Sequence, residues 1–164
     1  MVNRVRLLIF LVVIIPLLIL AGSILLYDSA PIASSPGIHY TSFSVGGKTF
    51  ALTYLATNQT MLQKGLMNTK VTNSTTMLFV FPTAGYYSFW MFDVNSSLDI
   101  MWVDAPPGSN TGSLVFVSLD ASPCHVSVLC PSYEPTARAD YVIEAKGGFA
   151  AANGIKVGTP VTFH

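Results

Sequence analysis

The sequence predicts a mainly β fold: a compact sandwich or barrel-like domain with one or two short helices, preceded by an N-terminal transmembrane helix. Three observations lead there. Short runs rich in β-branched and aromatic residues recur between Gly, Pro and Asn turns from His39 to the end of the 164-residue chain. A charge-free apolar run, Leu7 to Tyr27, stands at the front. Charged residues make up only 10% of the chain, against ~25% in an average globular protein. The 12% aromatic content is enough for a packed core, so the low charge does not signal disorder.

As a helix the front run would be roughly 30 Å long, the thickness of a bilayer core. Pro16 would bend such a helix and is tolerated in a spanning segment. Arg4 and Arg6 precede the run, so the positive-inside rule predicts a single pass with a cytoplasmic N-terminus and an extracytoplasmic domain. A cleaved signal peptide is the competing reading; its apolar region is ordinarily shorter, about 7–15 residues. Both readings export the remainder of the chain. The expected organisation is an anchor over 1–27, a Pro/Ser/Ala-rich linker over 28–37 and a mainly β domain over 38–164. Beyond Tyr27 six basic and eight acidic residues remain, with no basic patch that would point to nucleic acid. So sparse a charge suits an acidic exterior, where a fold dependent on carboxylate ion pairs would lose them. Asn58, Asn73 and Asn95 each open an Asn-x-Ser/Thr glycosylation pattern, as expected of an exported chain.

Along the chain, "HYTSFSV" and "KTFALTYLA" flank Gly46-Gly47, a hairpin signal. "NQTMLQKGLM" changes period: Met61, Leu62 and Leu66 have helical spacing, Asn58 can cap the start and Gly65 the end. Strands are expected at 77–81, 87–92, 98–103, 113–119 and 140–145, and "PVTFH" closes the chain. "GGFAAANG", 147–154, predicts one short helix ended by Gly154.

Seven of these segments, in order, resemble one family. They are "KGLM" 64–67, "MLFVFP" 77–82, "FWM" 89–91, "LDIMWVD" 98–104, "CPSY" 130–133, "YVIEA" 141–145 and "NGIKVG" 153–158. The series resembles domain-of-unknown-function family 192, the uncharacterised ACR family, over roughly Phe50 to Phe163. The resemblance implies a compact mainly β domain, often exported or membrane-anchored, and no particular reaction. The chain departs from the family's pattern at Phe92-Asp93-Val94, at Ser97 before Leu-Asp-Ile, and in the long segment "APPGSNTGS" after Asp104.

The chemistry-bearing residues admit several readings. Cys124 and Cys130 are separated by five residues, too far for a Cys-x-x-Cys redox pair and poorly spaced for zinc. His125 directly follows Cys124, and neighbours on an extended segment point to opposite faces, which disfavours a Cys-His nucleophile. Outside the cell a disulfide is the favoured reading, stapling a loop that presents Ser132 and Tyr133. Trp90 and Trp102 are either core or the walls of a groove that binds by aromatic stacking. Asp99 lies inside an apolar strand; it is either bonded to backbone amides or a catalytic acid/base, with Asp93, Asp104 or Glu144 as its partner. Ser132 lacks the Gly-x-Ser-x-Gly setting of a nucleophile elbow. Gly147-Gly148 and Gly158 form no phosphate loop, and no cofactor or metal is predicted. These observations favour an anchored cell-surface binding module for a glycan, a peptide or an envelope partner, using Trp90, Trp102, Asp99, Ser132 and Tyr133. The alternatives are an envelope glycan hydrolase or lyase using Asp99 and Glu144, and a non-catalytic assembly factor.

Overall fold

The computed structural model describes residues 37–164. The expected anchor over 1–27 and nearly all of the linker lie outside the described residues. Among the described residues no helix is long and apolar enough to cross a membrane.

The chain begins with a hairpin. β1 (Ser42–Val45) and β2 (Lys48–Ala51) pair antiparallel with Val45 opposite Lys48. Gly46 and Gly47 both have positive φ, 59° and 76°, as a two-residue hairpin turn matched to strand twist requires. β3 (Tyr54–Ala56) comes next, then helix α1 (Gln59–Lys64). The Asn58 side chain caps α1 by accepting from the Met61 amide at 3.0 Å, and Gly65 ends it with a φ of 51°. Beyond α1 lie β4 (Thr76–Gly85), the short β5 (Phe89–Trp90), β6 (Leu98–Asp104) and β7 (Thr111–Ala121). After a 3₁₀ turn over Ser127–Leu129 come β8 (Ser132–Tyr133) and β9 (Ala139–Lys146). Helix α2 (Phe149–Ala152) and β10 (Pro160–Phe163) complete the domain.

Eight strands form one sheet in the order β2-β1-β10-β7-β6-β9-β4-β3, antiparallel except for the β3–β4 pair. β5 and β8 form a separate two-stranded ribbon. The run "KTFALTYLA" reads as one strand but is two, β2 and β3, on opposite edges of the sheet. The reason is where its amides go. The Leu52 amide donates to the Thr41 carbonyl at 2.8 Å, beside β1, and the Thr53 amide donates to the Thr76 carbonyl at 3.0 Å, at the start of β4. Two consecutive residues therefore span both edges, and the sheet must curl to bring them together. The buried Thr76 hydroxyl strengthens this seam by donating to the Ala51 carbonyl at 2.6 Å. The expected sandwich or barrel is thus a curled half-barrel sheet, its edges laced by Ala51, Thr53 and Thr76.

Curling creates two packed faces. One cluster draws Phe43, Leu78, Met101, Leu114, Ile143 and Phe163 from six strands and fills the inside of the curl. The other covers the opposite face, where Phe79, Ile100, Trp102 and Val142 meet Leu66, Met91 and Val94 from the connections. Every residue of β6 from Leu98 to Val103 is buried as a result. Trp102 is one of them: it has no exposed surface, packs edge-on against Phe89 and Phe116, and donates its indole N–H to the Tyr87 carbonyl at 2.8 Å. The groove-wall reading of Trp102 is corrected to core, because connections cover the face on which strand alternation places it.

The seam is testable. Thr76→Val keeps the shape and removes the hydroxyl that bridges the edges; the unfolding free energy in urea is expected to fall by about 1–2 kcal/mol. Thr83→Val, at an exposed position of the same strand, is expected to change it by no more than about 0.5 kcal/mol.

Candidate functional site

One groove of about 850 Å³ opens on the outer face of the sheet. Its floor is Phe79 of β4 and Glu144 of β9. One wall is α1 and the turn that leaves it, Leu62 to Met67. The other is the second half of β4, the turn that leaves it, and β5: Phe81, Pro82, Tyr87, Ser88, Phe89 and Trp90. The aromatic wall is internally braced. Phe81 and Tyr87 stack with ring centroids 3.6 Å apart, Phe89 meets Phe79 edge-on at 4.9 Å, and the Tyr87 hydroxyl donates to the Thr83 carbonyl at 2.6 Å. Trp90 stays 45% exposed at the mouth, 5.3 Å from Phe92.

Glu144 is the exceptional residue of this groove. It is 3% exposed, and its Oε2 atom has no hydrogen-bond partner among the described residues. Burial in apolar surroundings disfavours the charged form and pushes its pKa up to about 8. Gly65 makes the approach to it: a Cβ placed there would lie 3.9 Å from Oε2 and 3.5 Å from the Phe79 ring. With no side chain and a left-handed φ at position 65, the helix exit passes close above the carboxyl.

The other sequence candidates fall elsewhere. Asp99 has no exposed surface and serves the backbone: its Oδ1 accepts from the Asp120 amide at 2.9 Å and its Oδ2 from the Ala150 amide at 2.8 Å. It ties the end of β7 to α2. Asp99 is paired across the sheet with Ala145, and Glu144 with Ile100, so the two carboxyls project from opposite faces. The expected Asp99–Glu144 acid/base pair is therefore not assembled, because neighbouring register positions alternate. Asp93 and Asp104 do not line the groove either, which leaves Glu144 as its one carboxyl among the described residues.

Cys124 and Cys130 have their sulfurs at bonding distance and their Cα atoms 5.6 Å apart, as the favoured reading requires. The Cys124 amide donates to the Met91 carbonyl and the Asp93 amide to the Cys124 carbonyl, so the staple lies beside the segment that follows β5. In the β5–β8 ribbon Ser132 sits opposite Trp90 and Tyr133 opposite Phe89. Ser132 is exposed and its hydroxyl donates to Glu134 at 3.3 Å. Tyr133 is half-buried; its hydroxyl accepts from the Ser122 amide at 2.9 Å and holds the loop. Both back the Trp90 wall and neither lines the groove. Asn58, Asn73 and Asn95 are all exposed.

Residue-by-residue reading misses Phe81, Tyr87, Phe89 and the α1 face. A signal for them was nevertheless present. Four of the seven segments that carry the family resemblance, "KGLM", "MLFVFP", "FWM" and "YVIEA", converge on this groove.

The profile of the family described as DUF192, Uncharacterized ACR, matches residues 41–163. Two crystal structures share the fold. A candidate transcription regulator from Sinorhizobium meliloti 1021 is 21% identical, with a TM-score of 0.62 over 77% of this chain and 97% of that one. A protein of unknown function from Novosphingobium aromaticivorans DSM 12444 is 24% identical, with a TM-score of 0.61 over 79% of this chain and 93% of that one. No curated protein matches the chain.

Glu144 fixes the sign of a pH effect. Between about 4.5 and 8 the unfolded chain has released this proton and the folded chain retains it. Stability from this group is therefore full below pH 4.5 and is lost as pH rises through 8, by at most about 1.4 kcal/mol per unit. Thermal melts from pH 4.5 to 8 are expected to show a falling midpoint that flattens in Glu144→Gln.

Proposed function

The chain belongs to domain-of-unknown-function family 192, and from that premise we propose that it is a membrane-anchored, extracytoplasmic binding module whose ligand enters the groove between α1 and β5. The single observation that carries this reading is the unpartnered Glu144 carboxyl at the base of an aromatic groove. A buried polar atom with no partner costs roughly 1–3 kcal/mol, and a ligand that satisfies it recovers that cost. The groove has the composition of a small-ligand site: mostly apolar walls with a few convergent polar groups, here Glu144, Gln59, Gln63 and Ser88. A glycan, a peptide or a segment of an envelope partner could enter it, with Trp90 at the mouth as a stacking surface.

The anchor reading rests on the charge-free Leu7–Tyr27 segment behind Arg4 and Arg6. It agrees with the paired cysteines, since disulfides persist in oxidising compartments. In such a compartment Asn58, Asn73 and Asn95 are accessible for glycosylation. A hydrolase or lyase that flanks a glycosidic bond with two carboxyls has no support in a groove with one.

Two measurements check this reading. A thermal-shift screen of glycans and short peptides on the oxidised full-length chain in nanodiscs is expected to yield ligands that raise the melting midpoint. Trp90→Ala should abolish those shifts while leaving the unliganded midpoint within a few degrees, because Trp90 is half-exposed. A screen without stabilising ligands removes the glycan and peptide classes, and shifts indifferent to Trp90 overturn the groove. For the anchor, the chain should resist alkaline carbonate extraction from membranes, and protease added outside intact cells should digest the domain. Release by carbonate would show a cleaved or peripheral protein instead.

A further inference from the structure

We infer that the groove takes an organic cation: an ammonium group seated on the Glu144 carboxyl and carried by an apolar body that lies against Phe81, Phe89 and Trp90. The inference deepens the binding-module reading and rests on it.

The groups that face Glu144 argue for this class. β4 contributes Phe79, the helix exit contributes Gly65 and Leu66, and the far wall contributes aromatic rings. None of these supplies a hydrogen bond to Oε2. The other titratable groups among the lining residues are Lys64 and Tyr87. Tyr87 already spends its hydroxyl on the Thr83 carbonyl. Lys64 is exposed, so its repulsion of a second cation is screened by water and salt. Glu144 is thus the one charge the groove can develop at its base, and that charge is negative.

A neutral ligand would need only a fixed amide or hydroxyl there. What a carboxyl adds is the capacity to ionise against a positive partner that brings its own hydrogen-bond donors. The surrounding rings add to this. A cation within about 6 Å of an aromatic face is attracted by the ring quadrupole, and more strongly where water is excluded. The carboxyl therefore takes the ammonium, and the aromatic walls take the apolar body that carries it.

The chemistry leaves a signature that mere apolar binding lacks. Below pH 8 the free site holds a proton on Glu144. Seating an ammonium ionises the carboxyl and releases that proton to solvent, so affinity must rise with pH until the free carboxyl is itself ionised.

The probe is phenethylammonium, which stays charged throughout pH 6–8, set against 2-phenylethanol and 3-phenylpropionate as neutral and anionic counterparts. All three are titrated calorimetrically into the full chain in nanodiscs. The expected result has three parts. Only the cation binds appreciably, its affinity rises about tenfold from pH 6 to 7 and levels off toward pH 8, and at pH 6 close to one proton leaves per ligand in buffers of different ionisation heat. Glu144→Gln should remove the pH dependence and the preference for the cation. The proton count is read on the unaltered chain, so the test survives a variant that fails to fold. If the neutral or anionic probe binds as well as the cation, or the cation binds without releasing a proton, the cation assignment falls and the groove remains a ligand site. Absence of binding by all three probes overturns the cation assignment, and together with a failed glycan and peptide screen it overturns the groove as well.

Discussion

Two consecutive amides, those of Leu52 and Thr53, donate to opposite edges of the eight-stranded sheet, and the geometry of the domain depends on that constraint. A sheet whose two edge strands are joined by two residues cannot lie flat. It must curl until its edges meet, and the Thr76 hydroxyl holds them there. The curl encloses one apolar cluster and turns the other face of β4, β6 and β9 outward. That outward face is still apolar, so it needs a cover. The cover is made by α1, the turn through Leu66, and the segment carrying Phe89 to Val94. The groove is the gap between two parts of the cover.

The same constraint separates the two buried carboxyls. Asp99 and Glu144 lie on neighbouring strands, one register position apart, and strand alternation sends them to different sides. Inside the curl Asp99 found two backbone amides to accept and became a brace. Under the cover the Glu144 Oε2 atom found none. Their different chemistry is a matter of which face each occupies.

Much of the fold was legible in local sequence. Gly46-Gly47 specifies its hairpin because the turn needs two positive φ values. Asn58 and Gly65 bound α1 by capping. The spacing of Cys124 and Cys130 by itself disfavours the redox and zinc alternatives. What local sequence could not carry was anything decided by distant partners. "KTFALTYLA" looks continuous because the switch at Leu52 depends on Thr41 and Thr76. Trp90 and Trp102 have similar strand contexts, yet one is half-exposed and the other wholly covered, because Phe116 and Phe89 pack over only the second. Glu144 reads in the sequence as a candidate partner carboxyl for Asp99, and only the cover's shape shows that a groove ends on it. The four resemblance segments that meet there were visible as motifs, but their common destination is a tertiary fact.

Among the described residues the ribbon of β5 and β8 forms its own sheet, apart from the main one. Behind it, the segment through Cys124 is tied by backbone bonds to Met91 and Asp93 and closed on itself through Cys130. The floor of the groove belongs to the sheet and forms when the chain folds. The wall bearing Trp90 leans on a loop whose covalent closure needs an oxidant. Floor and wall are therefore held by different means: strand register fixes Glu144, and the Cys124–Cys130 pair closes the loop that backs Trp90. Reduction of that pair would remove one support of the wall and leave the floor as it is.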